Sequence, residues 1–149
     1  MNQEIKTQWV AALRSGQYKQ TSGTLHRLRD DGSEGYCCLG VLCELAEKAE
    51  IVKTAASVQE EGVFAYFGPG APSPDPEIEP SDSDDYSTTG LPYSVYIWAG
   101  LPADDGDSPN DPEVSLRSDG EESLYPLSYF NDVLGTGFAE IANLIEKHL

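Results

Sequence analysis

Two residue types in this 149-residue chain could carry nucleophilic chemistry, and both are scarce: three cysteines (Cys37, Cys38, Cys43) and two histidines (His26, His148). A cysteine at a helix N-terminus can have its thiol pKa lowered and act as a nucleophile. Cys38 sits where a helix is expected to begin, and His26 would face it across a short hairpin. No local Cys-His-Asp grouping supports the pair, and Cys is among the most buried residue types. Packing is therefore the reading for the cysteines, with a cysteine-dependent enzyme as an alternative. The Cys-Cys-x4-Cys spacing matches no common zinc ribbon or finger. Asp105, Asp107 and Asp111 resemble alternating calcium ligands, but Pro109 takes the third ligand position and no Gly follows it. The sequence has no phosphate-binding P-loop, no dinucleotide Gly motif and no His-Glu-x-x-His. No catalytic residue, metal or cofactor is expected.

The other chemically capable group is basic and aromatic. Arg14, Tyr18, Lys19, His26, Arg27, Arg29 and Tyr36 cluster near the N-terminus. Between residues 14 and 29 there is no acid at all. Guanidinium groups grip phosphate in a bidentate way, and aromatic rings can stack on a base. These seven residues are the expected site for a phosphate-bearing small molecule of nucleotide type.

Charge supports that location. The chain carries 26 acidic and 9 basic residues, for a net charge of −17. Residues 1–53 hold seven of each sign, so the whole net charge lies in residues 54–149. Such a surface repels nucleic-acid backbone and anionic lipid, and attracts basic protein surfaces. An anionic ligand could approach only the N-terminal third. No apolar run nears the about 18 residues of a membrane span, and no basic-then-apolar leader opens the sequence. Two adjacent cysteines and a third are no disulfide framework. A reducing cytoplasm is the expected location.

The elements that must position these groups follow from periodicity. Ile5, Trp9, Ala12 and Leu13 form one apolar stripe, predicting a helix over 3–15, capped by Asn2 and ended by Gly16. Residues 24–29 and 36–39 read as a hairpin about Asp31-Gly32. A second helix is expected over 39–50, with Leu39, Leu42, Cys43, Ala46 and Ala49 inward and Glu44, Glu47, Lys48 and Glu50 wet. Residues 63–67 read as a strand. Leu91-Pro92 opens a third helix that Gly100 ends. Helical signal returns near 126–133, and a last helix over 137–148 presents Phe138, Ile141, Ala142 and Ile145. The expected core adds Val95 and Trp98. Two acidic stretches, 68–90 and 102–122, read as mobile insertions, the second with a short strand near 114–116. The first has five prolines, six acids and no base, a composition with little apolar area to offset ordering entropy. The fold expected is α+β: one helix-rich domain over 1–149 with a small antiparallel sheet.

Four blocks carry a family resemblance. Trp9-x3-Leu13-Arg14-Ser15-Gly16-x-Tyr18-x-Gln20 is the first, and Tyr36-Cys37-Cys38-Leu39-Gly40-Val41-Leu42-Cys43 the second. The third is Leu91-Pro92-x2-Val95-x2-Trp98-Ala99-Gly100-Leu101. The fourth joins Leu127-Ser128-x2-Asn131-Asp132 to Gly137-Phe138-x-Glu140-Ile141-Ala142-x2-Ile145-Glu146. Together they resemble a family of small phage and prophage proteins of unknown function. The resemblance implies a viral or integrated-viral origin and supplies no catalytic residues. Gly137 stands where the pattern usually has the Ser of a Ser-Phe-x-Glu capping box, so one side-chain cap is lost.

Three readings follow, in this order. The first is a non-enzymatic binder that sequesters a nucleotide-like signal of host immunity. The second is an acidic inhibitor, or nucleic-acid mimic, seated on a basic site of a host protein. The third is the cysteine enzyme. A homo-oligomer with twofold symmetry would double a ligand site.

Overall fold

In the computed structural model, which describes residues 1–69, 71, 85–101, 111–118 and 121–149, the first helix, α1, runs Gln3–Arg14. Asn2 caps it as expected: its side-chain oxygen accepts the amides of Glu4 at 2.9 Å and Ile5 at 3.4 Å. Gly16, at φ +72°, lets the chain turn away in a conformation costly for other residues. Ile5, Trp9, Val10 and Leu13 are buried.

The hairpin follows. Strand β1 is His26–Leu28 and β2 is Glu34–Tyr36, antiparallel about the Asp31-Gly32 turn. Residues 19–21 run along the outer edge of β2, with the Thr21 amide on the Tyr36 carbonyl and the Tyr36 amide on the Lys19 carbonyl. Helix α2, Cys38–Lys48, starts directly after β2. The Sγ of Cys37 accepts the Gly40 amide at 3.4 Å, a weak sulfur cap in place of the usual oxygen. Residues 38–43 are all buried, because α2 lies between α1 and the sheet side. Gly40 makes that approach feasible. A Cβ built on it would lie 1.8 Å from the backbone oxygen of Leu25.

Two further strands, β3 (Lys53–Ala56) and β4 (Val63–Phe67), complete the path β2-β1-β4-β3. The two-residue β5 (Tyr86–Ser87) pairs with β4 beyond the end of β1. Helix α3, Tyr93–Trp98, is anchored by Asp85, whose carboxylate accepts the Ser94 amide and hydroxyl at 2.7 Å each. Strands β6 (Glu113–Ser118) and β7 (Glu121–Pro126) form a separate hairpin. A π-helical turn, Tyr129–Val133, leads to α4, Phe138–His148. Gly137 precedes α4 without a side-chain cap bond, as the missing Ser implies.

The result is an α+β arrangement with one continuous core. Helix α1 packs on α4 and on α2, and the core extends through Leu91, Val95, Leu127 and Phe130. The indole N–H of Trp9 donates to the Cys38 carbonyl at 3.0 Å, so the largest core ring is also satisfied as a donor. Trp98, expected inside, is only partly buried against the core. Two differences from the sequence reading stand out. Strand β3 was not expected, and the short strand expected near 114–116 is one arm, β6, of a longer hairpin whose second arm, β7, was not. Residues 70, 72–84, 102–110 and 119–120, parts of the two acidic stretches read as mobile insertions, lie outside the described residues, and with them that reading and Asp105 and Asp107.

Candidate functional site: an arginine cleft on one face of the hairpin

An open cleft of about 650 Å3 lies between the β1–β2 hairpin and the π-helical turn. Gln20, Thr21 and Ser22 form one wall; Arg27, Arg29, Asp30 and Asp31 a second; Asn131 and Gly135 close the end. The walls are clasped together. The Gln20 side-chain amide donates to Asn131 Oδ1 at 2.9 Å and to the Thr136 carbonyl at 2.7 Å.

Asn131 is the strut of this end. It is 3% exposed. Its Oδ1 also accepts the Cys38 amide at 3.2 Å, and its Nδ2 donates to the Thr21 carbonyl at 2.8 Å and to Asp132 Oδ1 at 2.5 Å. One side chain thus ties the π-turn, the first turn of α2 and the 19–21 edge. Single-turn π-helices recur at functional sites, and this one sets Asn131 facing inward between exposed Asp132 and buried Phe130.

The two arginines differ. Arg29 is fixed: Nη1 donates to the Gln20 carbonyl at 3.1 Å. Its methylenes lie over Gly35, where a Cβ would come within 3.2–3.3 Å of them. Arg27 has no hydrogen-bond or ion-pair partner among the described residues. Asp31 is tied by the Ser33 amide and hydroxyl, and Lys19 Nζ is 3.8 Å from its Oδ2. Those Ser33 bonds hold the Asp31 carboxyl below its usual pKa, so it is ionised near neutrality.

The remaining residues of the expected site lie elsewhere. His26 precedes Arg27 on β1, and successive strand side chains point to opposite faces. Its ring is stacked between its two cross-strand partners, Tyr36 at 4.3 Å and Phe64 at 4.2 Å. It is 5% exposed. Tyr66 donates its hydroxyl proton to Glu44 Oε1 at 2.6 Å, and the same hydroxyl lies 3.3 Å from His26 Nδ1. With that proton committed to Glu44, Nδ1–H is the donor to Tyr66. Nε2 is then left buried without a hydrogen bond, 3.8 Å from Glu34 Oε1. Burial pulls the His26 pKa below its ordinary value, against the opposing pull of Glu34 and Glu47. Burial also raises the Glu44 carboxyl. Glu44, expected to stay wet, is thus a half-buried member of a polar network between α2 and the sheet.

Tyr36 donates to Glu34 Oε2 at 3.0 Å, and Tyr18 packs edge-on against Tyr36 and accepts from Lys48 at 2.9 Å. Both tyrosines serve this second face. Arg14 is more distant still. It bonds Asn143 and Glu146 of α4 at 2.6 and 2.8 Å. Of the seven expected residues, then, the cleft gathers Arg27 and Arg29, with Lys19 at its edge. Gln20 and Asn131 belong to the sequence blocks quoted above without a chemical role, Asp31 was placed only in the turn, and Asp30 carried no role.

The cysteines take no part. Cys38 is fully buried, its Sγ 3.7 Å from the Leu127 carbonyl. Burial pushes the Cys37 thiol up to about 12 and raises Cys38 and Cys43 well above the ordinary value. That is opposite to the shift a nucleophile needs. His26 contacts rings of the sheet and is not directed at Cys38. Asp111, the third residue of the acidic trio, accepts the Ser128 amide at 3.2 Å. Among the described residues no group of three His, Cys, Asp or Glu side chains is placed to hold a metal ion, and no helix is long and apolar enough to cross a membrane.

The fold and the cleft together define a small α+β protein with an open polar pocket of mixed charge. The chain belongs to the family described as a domain of unknown function (DUF8296), whose profile matches residues 1–149. No curated protein and no solved structure matches it.

Proposed function

We propose that this protein is a non-enzymatic binder of a phosphate-bearing small molecule, held in the cleft between Arg27 and Arg29. One observation carries the reading. In a chain of net charge −17, this cleft combines a guanidinium fixed in place with a second one that has no partner among the described residues. Guanidinium forks match phosphate oxygens. The resemblance of the four sequence blocks to phage and prophage proteins supports a viral origin. In such a setting the site would serve to sequester a host signal in the host cytoplasm, a use that the small size of the chain suits. Calorimetry of the whole chain at low salt, with inorganic phosphate and a panel of mono-, di- and cyclic nucleotides, is the test. Binding to any member that Arg27→Ala weakens about tenfold supports the reading, a change of roughly 1.4 kcal/mol. Silence across the panel overturns it.

A second reading is an acidic inhibitor of a basic host protein. The β6–β7 hairpin favours it, because Glu113, Glu121 and Glu122 are exposed on a ribbon separate from the main sheet. With three glutamates against the single Arg117 the ribbon is net negative, and such a surface attracts positive charge.

A further inference from the structure

The lining of the cleft narrows the ligand class. No aromatic ring is among its described residues. Tyr18, His26 and Tyr36, the rings that would have stacked on a base, are engaged on the other face of the hairpin. What the cleft does offer falls into two kinds. Arg27 and Arg29 can only donate hydrogen bonds; the side-chain oxygens of Asp30 and Asp31 are acceptors. Donors of that strength suit a phosphate. Acceptors of that strength suit hydroxyl groups, and they oppose a second phosphate by like charge.

From this we infer that the ligand is a sugar or polyol monophosphate of the ribose 5-phosphate type. The phosphate sits on Arg27 and Arg29, and the hydroxyls donate to Asp30 and Asp31. The inference rests on the phosphate reading given above and adds the carboxylate half of the site. Placement supports it. The Asp31 carboxylate, in the lining of the cleft, is held by Ser33 through Oδ1, while Oδ2 lies 3.8 Å from Lys19 Nζ. Arg29 is held by the Gln20 carbonyl and by its path over Gly35. One donor and one acceptor are therefore set before any ligand arrives, and preorganised groups lose less entropy on binding. Arg27 and Asp30, each without a partner among the described residues, are left to close on the ligand.

Calorimetry of the whole chain with four probes tests this: inorganic phosphate, ribose, ribose 5-phosphate and AMP. Ribose 5-phosphate is expected to bind at least tenfold more tightly than inorganic phosphate, and AMP no more tightly than ribose 5-phosphate. The double variant Asp30→Asn/Asp31→Asn should bring ribose 5-phosphate to within about twofold of phosphate while leaving phosphate binding equal or stronger. Equal affinity for phosphate and ribose 5-phosphate in the native chain would overturn the sugar-phosphate class and leave the phosphate site standing. AMP tenfold tighter than ribose 5-phosphate would also overturn it, by showing a base subsite. No heat with any phosphate would remove both readings together.

Discussion

His26 and Arg27 are consecutive in the chain, and their side chains belong to opposite faces of one sheet. His26 is sealed between Tyr36 and Phe64; Arg27 opens into the cleft without a partner among the described residues. One peptide separates an interior polar network from a solvent-facing cleft. Substitutions at the two positions should consequently report on different properties, stability at one and binding at the other.

Arg27 and Arg14 make the contrast sharpest. Arg27→Ala should weaken phosphate binding about tenfold and leave the melting temperature unchanged. Arg14→Ala should leave binding unchanged and lower the melting temperature only slightly, because its guanidinium is occupied with Asn143 and Glu146 in an exposed helix pair. Parallel calorimetry and thermal melts check this. Equal losses of binding in the two variants would count against the cleft.

Gly40→Ala is expected to be among the most damaging single-methyl changes available in this chain. The added carbon cannot share space with the Leu25 backbone oxygen, so α2 must shift away from the loop before β1. A loss of about 3 kcal/mol or more is expected, by overpacking at a fixed backbone. Urea unfolding of Gly40→Ala beside Ala46→Gly, which removes a carbon from the same helix, distinguishes overpacking from a general intolerance of α2.

Asn131→Ala should cost about 2–4 kcal/mol, since it strands the Cys38 amide and the Thr21 carbonyl in a buried place. Asn131→Asp keeps the shape and is expected to fall in the same range. It cannot donate to Thr21, and it sets a carboxylate beside Asp132. Chemical denaturation measures both, and a near-neutral Asn131→Asp would mean that Nδ2 contributes little.

The thiols should be silent in the folded state. All three are buried with raised pKa values, so an aromatic disulfide reagent should release no signal over minutes in buffer and three equivalents in urea. Cys38→Ser should retain ligand binding and lose about 1 kcal/mol of stability. A rapid single equivalent in buffer would restore a chemical role to one of them.

Two groups of the buried network pull the pH profile in opposite directions. The His26 pKa is lowered from 6.5 in the fold. Its neutral form thus contributes stability that is present above 6.5 and is lost as pH falls from there toward the lowered value. The Glu44 pKa is raised from 4.5, so stability declines as pH rises through 4.5 to the raised value. His26→Phe, which keeps a ring in the stack, should remove the acid-side loss near pH 6. Glu44→Gln, which keeps an acceptor for Tyr66, should remove the opposing slope. Urea midpoints between pH 4.5 and 8 for the three proteins check the signs.

Much of this architecture was readable from the residues alone, for physical reasons that also explain the exceptions. α1, α2 and α4 bury continuous stripes at helical spacing, and β4 is a compact run of Val63, Phe64, Ala65, Tyr66 and Phe67. Strand β3, Lys-Thr-Ala-Ala, has no such signature. It is a strand because β4 supplies its partner over four residues. Along β6 and β7 the acidic residues Glu113, Glu121 and Glu122 are wet positions of a ribbon, while Val114 faces the core. The candidate site was legible only in part. Residues 14–29 looked like one basic patch because no acid interrupts them, but Gly16 ends a helix and β1 alternates its faces. Those two local facts send Arg14 to α4, His26 inward and Arg27 to the cleft. Gln20 and Asn131 could not be paired from sequence, since 111 residues separate them.

The packing of α1 against α4 bears on how quickly this chain can fold. Helical proteins generally fold fast because their contacts are local. Here Arg14 meets Glu146, a separation of 132 residues. The contact closes a loop of nearly the whole chain, and the chain loses that closure entropy before the helix pair is in place. Helices α1 and α4 are therefore expected to dock late, onto a nucleus of α2 and the β1–β2 hairpin, with a folding rate closer to that of mixed α/β domains than to a helical bundle of the same length.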